Sequence, residues 1–107
     1  MEISQYQIVL VNLDPTRGSE IKKTRPCVVI SPNEMNIHLN TVIVAPMTTS
    51  KKSYPTRVKI KHGQQIGQIV VDQIRTIDKV RLIKKLGSLT ASEIRSLKSI
   101  IKETFVD

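Results

Sequence analysis

Apolar residues along the chain fall into short runs of strand length, which polar, turn-forming residues separate. Runs rich in Val, Ile and Leu are typical of buried strands, and strict alternation is typical of strands buried on one face. Five segments fit one of these patterns: 6–13, 26–31, 41–47, 56–61 and 68–74. Two shorter extended pieces, 80–83 and 86–88, complete the predicted sheet.

Local signals set the limits of these strands. Alternation in 56–61 predicts a buried face formed by Val58 and Ile60. Pro26 has no N–H to donate and therefore fits best as the first residue of the second strand. Proline also biases the residue before it, Arg25, towards an extended conformation. Turn-forming residues dominate the start of 14–24, which predicts a long loop before this strand.

The C-terminal segment has a helical period instead. Its apolar side chains recur at helical spacing: Ile94, Leu97, Ile101 and Phe105. Residues Thr90 to Glu93 read as a capping box with Leu89 placed to pack onto the first turn, which predicts a helix over 91–105. The mostly polar residues 31–40 could hold one loose helical turn. Many short strands followed by a helix predict a β-rich α+β fold, with a small, strongly bent sheet or barrel and one helix packed on it.

The charge balance favours a polyanionic partner. Seventeen Lys and Arg against nine Asp and Glu leave a net charge of +8, and each phosphate that a protein neutralises releases counterions and raises affinity. The stretch 51–61 concentrates this charge, with five basic residues and no acidic one. No membrane partner is expected, because no basic amphipathic helix with bulky apolar anchors is visible.

Length and cysteine content predict a small cytoplasmic protein. The 107 residues suit a single domain, 1–107. The one cysteine, Cys27, lies in an apolar run and is predicted to be a small buried hydrophobic residue in a reducing compartment. The N-terminus lacks a secretory pattern, and no apolar run approaches the roughly 20 residues that span a bilayer.

Several polar residues stand at the ends of the predicted strands. Arg25 precedes the second strand, and Thr48 follows the third. Glu20 lies in the first loop, and Arg75 and Asp78 follow the fifth strand. Strand ends of a small barrel lie near one another, so these side chains could converge on one rim. Arginine and hydroxyl donors suit the negative charge of a phosphodiester transition state and need no metal or other cofactor.

Each of these residues also has an ordinary structural explanation. Arg25 could be solvated or paired with Glu20, and residues 48–50 could form a turn with local hydrogen bonds. Arg75 could pair with Asp78 at the surface. Two histidines and one cysteine make no cluster with metal-ligand spacing, and no Gly-rich phosphate loop is present. From the residues alone, the chain is a basic, barrel-like protein suited to RNA or DNA phosphates.

Two longer motifs resemble a known family. Residues 11–31, VNLDPTRGSEIKKTRPCVVIS, are similar to the signature of the MazF/PemK/Kid toxins, and 70–87, VVDQIRTIDKVRLIKKLG, are similar to their second hallmark. APMTTS at 45–50 lies where these toxins place a hydroxyl after the third strand. The resemblance covers essentially the whole chain. It implies a small SH3-like β-barrel of the CcdB/MazF type with a C-terminal α-helix.

The resemblance also implies an activity. These proteins are toxins of type II toxin–antitoxin systems, metal-independent and sequence-specific endoribonucleases (mRNA interferases). They cleave single-stranded mRNA by attack of the 2′-OH on the adjacent phosphate, which leaves a 2′,3′-cyclic phosphate and a 5′-OH. They form homodimers and are neutralised by an acidic antitoxin, and they meet operator DNA only within the toxin–antitoxin complex.

Site residues follow from the same resemblance, position by position. Arg25 and Thr48 match the catalytic pair of the family, and Glu20 and Arg75 match further residues implicated in activity. The expected RNA-binding residues are Arg17, Ser19, Lys22, Lys23, Thr49, Ser50, Lys51, Lys52, Arg57 and Asp78. Some relatives carry a histidine where this chain has Ser19, so a histidine-assisted mechanism is not expected here.

Two other functions compete with this one. The CcdB toxins share the barrel but poison DNA gyrase, and the fold alone does not separate the two activities. The Arg25 and Thr48 motifs favour the ribonuclease branch. A non-catalytic nucleic-acid-binding barrel would use only the basic stretch 51–61, and the scarcity of aromatic residues for base stacking weighs against it.

Overall fold

The structure is a computed structural model that describes residues 1–14, 17–20, 23–50, 52, 54–62 and 65–106, with only the backbone of residues 62 and 65. Strands dominate this part of the chain, with one short and one long helix. The elements are β1 Gln7–Asn12, β2 Thr24–Val29, α1 Asn33–His38, β3 Thr41–Thr48, β4 Arg57–His62, β5 Gln65–Val70, β6 Arg75–Asp78, β7 Leu82–Ser88 and α2 Ala91–Phe105.

The strands form one antiparallel sheet in the order β4-β5-β3-β2-β1-β7, with β6 paired to β3 beside this path. β3 is the central strand because it pairs with three others. Val44 pairs with Val29 of β2 and with Arg75 of β6, so β2 and β6 lie on opposite sides of it. The end of β3 then pairs with β5, where Met47 is opposite Ile69.

The predicted strand over 68–74 was wrong in its second half. β5 ends at Val70, and Val71–Gln73 form a single 3₁₀ turn before β6 begins. These residues lie between the two strands that pair with β3. Ile69 and Arg75 pair with Met47 and Val44, which are closer together in sequence, and the turn takes up the additional residues. The apolar run hid the turn, because Val71 is fully buried within it.

Two further boundaries differ from the prediction. β2 begins at Thr24 rather than at Pro26, and the proline is tolerated because the ladder from β2 to β3 starts one residue later, at Cys27. The two short pieces over 80–83 and 86–88 are one strand, β7, whose pairing with β1 is interrupted by register shifts. Such irregularities bend a strand, and they explain why the pattern read as two fragments.

Both faces of the central strands are covered. In β1, Ile8 packs in one hydrophobic cluster while Val9 and Val11 pack in the other. Cys27 and Val28 of β2 divide in the same way. This accounts for the nearly continuous apolar runs, since a strand buried on both sides has no polar face. In β4 the predicted alternation is confirmed: Val58 and Ile60 are buried, whereas Lys59 is exposed.

α2 closes one of the two clusters, and its predicted limits are confirmed. The capping box is present: Thr90 Oγ1 accepts from the Glu93 N–H at 3.2 Å, and Glu93 Oε1 accepts from the Thr90 N–H at 2.9 Å. Leu97 is fully buried, but Phe105, the last residue of the apolar stripe, is 58% exposed. Glu93 also ties the helix to the sheet, because its Oε2 accepts from the Lys61 N–H of β4 at 3.0 Å.

No helix in the described residues is both long enough and apolar enough to cross a membrane.

Candidate active site

Arg25 and Thr48 line the same cleft, although they come from different strands. The cleft, here the Arg25 cleft, has a volume of about 120 Å³. It is formed by Arg25, Pro26, Met47, Thr48, Thr49, Ile66 and Gly67. Arg25 lies in β2 opposite Val11 of β1, and Thr48 is the last residue of β3. The sheet thus brings the predicted catalytic pair to one site.

The Thr48 hydroxyl is oriented by its own loop. Its Oγ1 accepts a hydrogen bond from the Ser50 N–H at 3.2 Å. A hydroxyl has one donor and two acceptor positions, so this contact uses an acceptor position and leaves the Thr48 proton for another partner. A local hydrogen bond of this kind was expected if residues 48–50 had only a structural role as a turn. Here the bond also places the hydroxyl at the edge of the Arg25 cleft.

Glycine at position 67 allows β5 to approach the end of β3 closely. A Cβ at Gly67 would lie 3.1 Å from the backbone oxygen of Thr48. That is tighter than an ordinary van der Waals contact, so any side chain here would press on the backbone that carries the Thr48 hydroxyl. A glycine inside a strand often marks a close approach of this kind. This was the available sequence signal for Gly67, and the prediction did not use it.

Gln68 supports the same loop from beneath and was also missed. It is 5% exposed, and its Nε2 donates to the backbone oxygens of Ser50 at 2.6 Å and Lys52 at 2.8 Å. Both donors of its amide are therefore used to hold the loop after Thr48. A glutamine directly before the apolar run 69–71 was the one hint, since buried amides are found where they have partners.

A second cleft adjoins the first. It is formed by Thr49, Ser50, Lys59, Ile66, Gly67 and Gln68. We name it the Gln68 cleft, and its volume is about 260 Å³. The two clefts share Thr49, Ile66 and Gly67, so they are parts of one continuous depression between the loop after β3 and the β4–β5 hairpin.

Glu20 and Arg75 meet in another cavity, of about 230 Å³, here the Arg75 cavity. It is formed by Leu13, Glu20, Pro46, Asp72, Gln73, Ile74 and Arg75. Pro46 stands one residue before Met47 of the Arg25 cleft, so the two hollows lie on adjacent parts of β3. Arg75 Nη1 donates to the Leu13 backbone oxygen at 3.4 Å. Glu20 Oε1 accepts from the Arg17 N–H at 2.9 Å, which closes a turn of the first loop.

Asp78 is not part of this arrangement. It pairs with Thr41 at the start of β3, seven residues from Thr48, which is about 23 Å along a strand. Its carboxylate accepts from the Val80 N–H at 3.0 Å and caps a short 3₁₀ turn. The structure therefore separates Asp78 from Thr48, although Arg75 is on the same strand, and gives its side chain a local structural contact.

Arg57 is engaged within the protein. Its Nε lies 3.8 Å from Asp72 Oδ1, and its guanidinium stacks over the Tyr54 ring at 4.6 Å from the centroid. Asp72 in turn accepts a hydrogen bond from the Thr56 hydroxyl at 2.8 Å. The predicted RNA contact of Arg57 thus involves a side chain that already stacks on a ring and pairs with an acid.

The remaining predicted RNA-binding residues that the structure describes lie in two exposed loops. Arg17, Ser19 and Lys23 belong to the loop before β2, and Thr49, Ser50 and Lys52 belong to the loop after β3. Lys23 has a left-handed φ of 68°, and its N–H donates to Asp14 Oδ1 at 2.9 Å, which fixes the turn before Arg25. Lys22 and Lys51 lie outside the described residues.

Cys27 does not contribute a nucleophile. The side chain is fully buried between the strands. Burial raises the pKa of its thiol to about 12, and the positive charge of Arg75 opposes this shift. Its Sγ donates to the Arg25 backbone oxygen at 3.6 Å. The thiol is therefore protonated at neutral pH, and protonated thiols are poor nucleophiles.

The acidic, histidine and cysteine side chains of the described residues are scattered. No group of three or more His, Cys, Asp or Glu side chains in this set is placed to hold a metal ion. The polar donors at the Arg25 cleft are instead a guanidinium and hydroxyl groups.

Comparison with known proteins identifies the family. The model of the PemK-like, MazF-like toxins of type II toxin–antitoxin systems matches residues 4–105. The chain belongs to this family. A Staphylococcus epidermidis protein named endoribonuclease MazF is 37% identical over 98 residues, which cover 86% of this chain and 82% of that protein.

Solved structures of MazF proteins show the same fold. A MazF from Deinococcus radiodurans superposes with a TM-score of 0.89 at 23% identity, covering 100% of this chain and 99% of that one. A mycobacterial endoribonuclease in complex with its cognate antitoxin superposes with a TM-score of 0.83 at 21% identity, covering 97% and 95%. The predicted SH3-like barrel of the CcdB/MazF type is thereby confirmed for this MazF-like toxin.

Proposed function

We propose that this MazF-like toxin is a metal-independent, sequence-specific endoribonuclease that cleaves single-stranded mRNA at the Arg25 cleft. The observation that carries the proposal is the meeting of Arg25 and Thr48 in one cleft. The S. epidermidis relative is named an endoribonuclease. The net charge of +8 supplies general attraction for a polyanionic substrate.

The chemistry uses groups that the RNA and the cleft already contain. The 2′-hydroxyl of one nucleotide loses its proton and attacks the adjacent 3′-phosphorus, and the bond from phosphorus to the 5′-oxygen breaks. The 5′-oxygen leaves with a proton as a 5′-OH, and the other product ends in a 2′,3′-cyclic phosphate. No atom is added from water in this step, so no metal-activated hydroxide is needed.

Arg25 and Thr48 act on the charge that develops in this step. The phosphorane carries more negative charge on its non-bridging oxygens than the phosphodiester does. A guanidinium donates in a fixed fork that suits two such oxygens, and preorganised donors aimed at a developing charge give the largest electrostatic contribution to catalysis. The Thr48 proton, which the Ser50 contact leaves available, supplies one more donor.

Glu20 and Arg75 play an indirect part in this proposal. Both line the Arg75 cavity beside β3 rather than the Arg25 cleft. Glu20 closes the turn from Arg17, within the exposed loop that approaches Arg25. We assign the pair to positioning that loop and to contacts with the RNA chain beyond the scissile phosphate.

The proposed partners follow from the family. The mycobacterial neighbour was solved with its cognate antitoxin, and we propose that this basic toxin likewise binds an acidic antitoxin. We further propose a cytoplasmic homodimer of single toxin domains over 1–107, which contacts operator DNA only through the toxin–antitoxin complex. Membership of the MazF-like family supports this function over a gyrase poison or a non-catalytic nucleic-acid-binding barrel.

The test is cleavage of a long transcript by purified protein in excess EDTA. We expect cuts at a limited set of sites with 2′,3′-cyclic phosphate and 5′-OH ends, and a loss of at least 10³-fold for Arg25→Ala, because a charged donor to a transition-state anion is removed. Arg95→Ala is the matched control, since this arginine is exposed on α2.

The alternatives give different results. Cutting that requires Mg²⁺, or normal cutting by Arg25→Ala, would contradict the proposed site. Inhibition of DNA gyrase supercoiling with intact RNA would support a gyrase poison. Tight, salt-sensitive RNA binding without cleavage over hours would support a non-catalytic binding protein.

A further inference from the structure

A larger cleft lies beside the Arg25 cleft, and no step of the proposed reaction uses it. The Gln68 cleft has about 260 Å³ against about 120 Å³ for the Arg25 cleft. Thr49, Ile66 and Gly67 border both, so an RNA strand whose phosphate lay at Arg25 would have the second hollow beside its next nucleotide. Pockets for drug-sized ligands start at about 300 Å³, so this volume suits one planar base rather than a larger group.

The surface of the Gln68 cleft fits a nucleotide. Ile66 is 71% exposed on β5, and it presents an apolar side chain at the border of the two clefts. Lys59 is exposed on the neighbouring strand, paired with Gln68 in register, and its ammonium can meet a backbone phosphate. The Ser50 hydroxyl accepts from the Lys52 N–H at 3.4 Å and keeps its own proton for a base edge.

Gln68 fixes the wall on the other side. Its amide is buried, and its two donors hold the backbone oxygens of Ser50 and Lys52 at 2.6 and 2.8 Å. Water cannot readily replace these bonds at a buried position, so releasing the loop would leave the amide unsatisfied. The wall of the cleft is therefore held in one position. A site that discriminates between bases needs a wall fixed in this way.

We propose that the Gln68 cleft is a specificity subsite that binds the base of a nucleotide next to the scissile phosphate, with Ile66 as its apolar contact and Gln68 as the positioning residue of its wall. This inference rests on the proposed endoribonuclease activity. Because Ser50 also donates to the Thr48 hydroxyl, the same loop serves base selection and the catalytic hydroxyl.

The experiment maps the 5′ ends that the wild type and variants produce from one long transcript. For Ile66→Ser, the preference at one nucleotide position is expected to fall about tenfold, the usual scale for one base contact. Because Ile66 also borders the Arg25 cleft, the overall rate of cutting should fall with it but not vanish. The other positions should keep their preference. Ile83→Ser is the matched control, because Ile83 is also an exposed strand isoleucine but lies in β7 at the far edge of the sheet.

Gln68→Glu tests the wall. A carboxylate has no N–H to donate to the two backbone oxygens, so the loop is released and the preference at the same position should relax together with a lower cleavage rate. Gln5→Glu is the control, because the Gln5 Nε2 likewise donates to a backbone oxygen, that of Ile30 at 2.8 Å, away from the clefts. Melting temperatures of both variants separate a loss of folding from a change of preference.

The outcomes distinguish the two proposals. A wild-type protein that cuts no RNA would remove the proposed activity and this subsite together. Cutting by Ile66→Ser and Gln68→Glu with the wild-type preference at every position would overturn the subsite alone. A complete loss of cutting by folded Ile66→Ser would also overturn it, because Ile66 would then serve the reaction rather than base selection.

Discussion

Replacing Thr48 by valine removes one hydroxyl from the Arg25 cleft and almost nothing else. Valine keeps the branched shape of threonine, so β3 and its pairing with Gln68 are retained. The lost hydroxyl has two partners in the proposal: the Ser50 N–H, which it accepts at 3.2 Å, and a phosphate oxygen, to which it donates. Each partner contributes to a different measurable quantity.

The catalytic contribution is the larger of the two. A hydrogen bond to a charged group contributes about 1.5–3 kcal/mol, and a loss of about 2–3 kcal/mol in the transition state slows the reaction about 30- to 150-fold. The contact with Ser50 lies in an exposed loop, where water replaces the lost acceptor, so its loss costs at most about 1 kcal/mol of stability. The rate should therefore fall far more than the melting temperature.

The assay is single-turnover cleavage of a short RNA that contains one mapped site, with protein in excess and EDTA present. Thr48→Ser is the control, because it keeps the hydroxyl and should stay within about fivefold of the wild-type rate constant. A Thr48→Val protein that is folded and cleaves within threefold of the wild type would refute the assignment of Thr48 as a donor to the phosphate.

Three other predictions concern residues around the site and in the core. Gly67→Ala places a Cβ 3.1 Å from the Thr48 backbone oxygen, so the rate of cleavage should fall at least tenfold in the single-turnover assay. Gly18→Ala is the control, because a Cβ there meets nothing within 4 Å. This control should lose only stability in a thermal melt, because the φ of Gly18 is +58°. Leu97→Ala empties a fully buried position, so urea unfolding should show a loss of about 3–5 kcal/mol; a loss below 1 kcal/mol would mean that α2 is not packed on the sheet as described. The pKa of the Cys27 thiol is raised to about 12 from 9.0, so the thiol stays protonated in the native state at a pH where it ionises in the unfolded state. Its contribution to stability is therefore complete below pH 9 and is lost as the pH rises towards 12. Between pH 7.5 and pH 10, the free energy of unfolding should fall by about 1.4 kcal/mol more for the wild type than for Cys27→Ala, and equal falls would show that the thiol is not buried.

The sequence was most informative where one pattern acts over many residues. Period and capping residues predicted α2 to the residue, because the Thr90–Glu93 box and the Leu97 stripe act locally. It was least informative where the sheet changes partners. The turn at Val71–Gln73 begins with a buried valine that continues the apolar run of β5, so only the register of β3 with β5 and β6 reveals it.

Some residues of the site could likewise be predicted from the sequence, whereas others could not. Arg25 and Thr48 were selected by the resemblance of their motifs, and the sheet brings them to one cleft. Gly67 and Gln68 were not selected, because their importance lies in distances across strands: one permits a close approach to Thr48, and the other reaches across to Ser50 and Lys52. Asp78 was selected by its motif, yet its position at the start of the β3 ladder separates it from the cleft.

The way in which the β4–β5 hairpin is attached has a dynamic consequence. This hairpin joins the rest of the sheet through two register pairs, Met47–Ile69 and Thr48–Gln68, and it packs Val58, Ile60 and Ile69 into the cluster that α2 closes. Undocking the hairpin would take Ile66 and Gly67 away from Arg25 without disturbing the cluster of buried side chains around β1 and β2. Assembly of the cleft therefore requires a docked hairpin, and any population of undocked molecules would lower the fraction of toxin that is competent to cut. Amide exchange in β5 that is faster than in β1 would report that population directly.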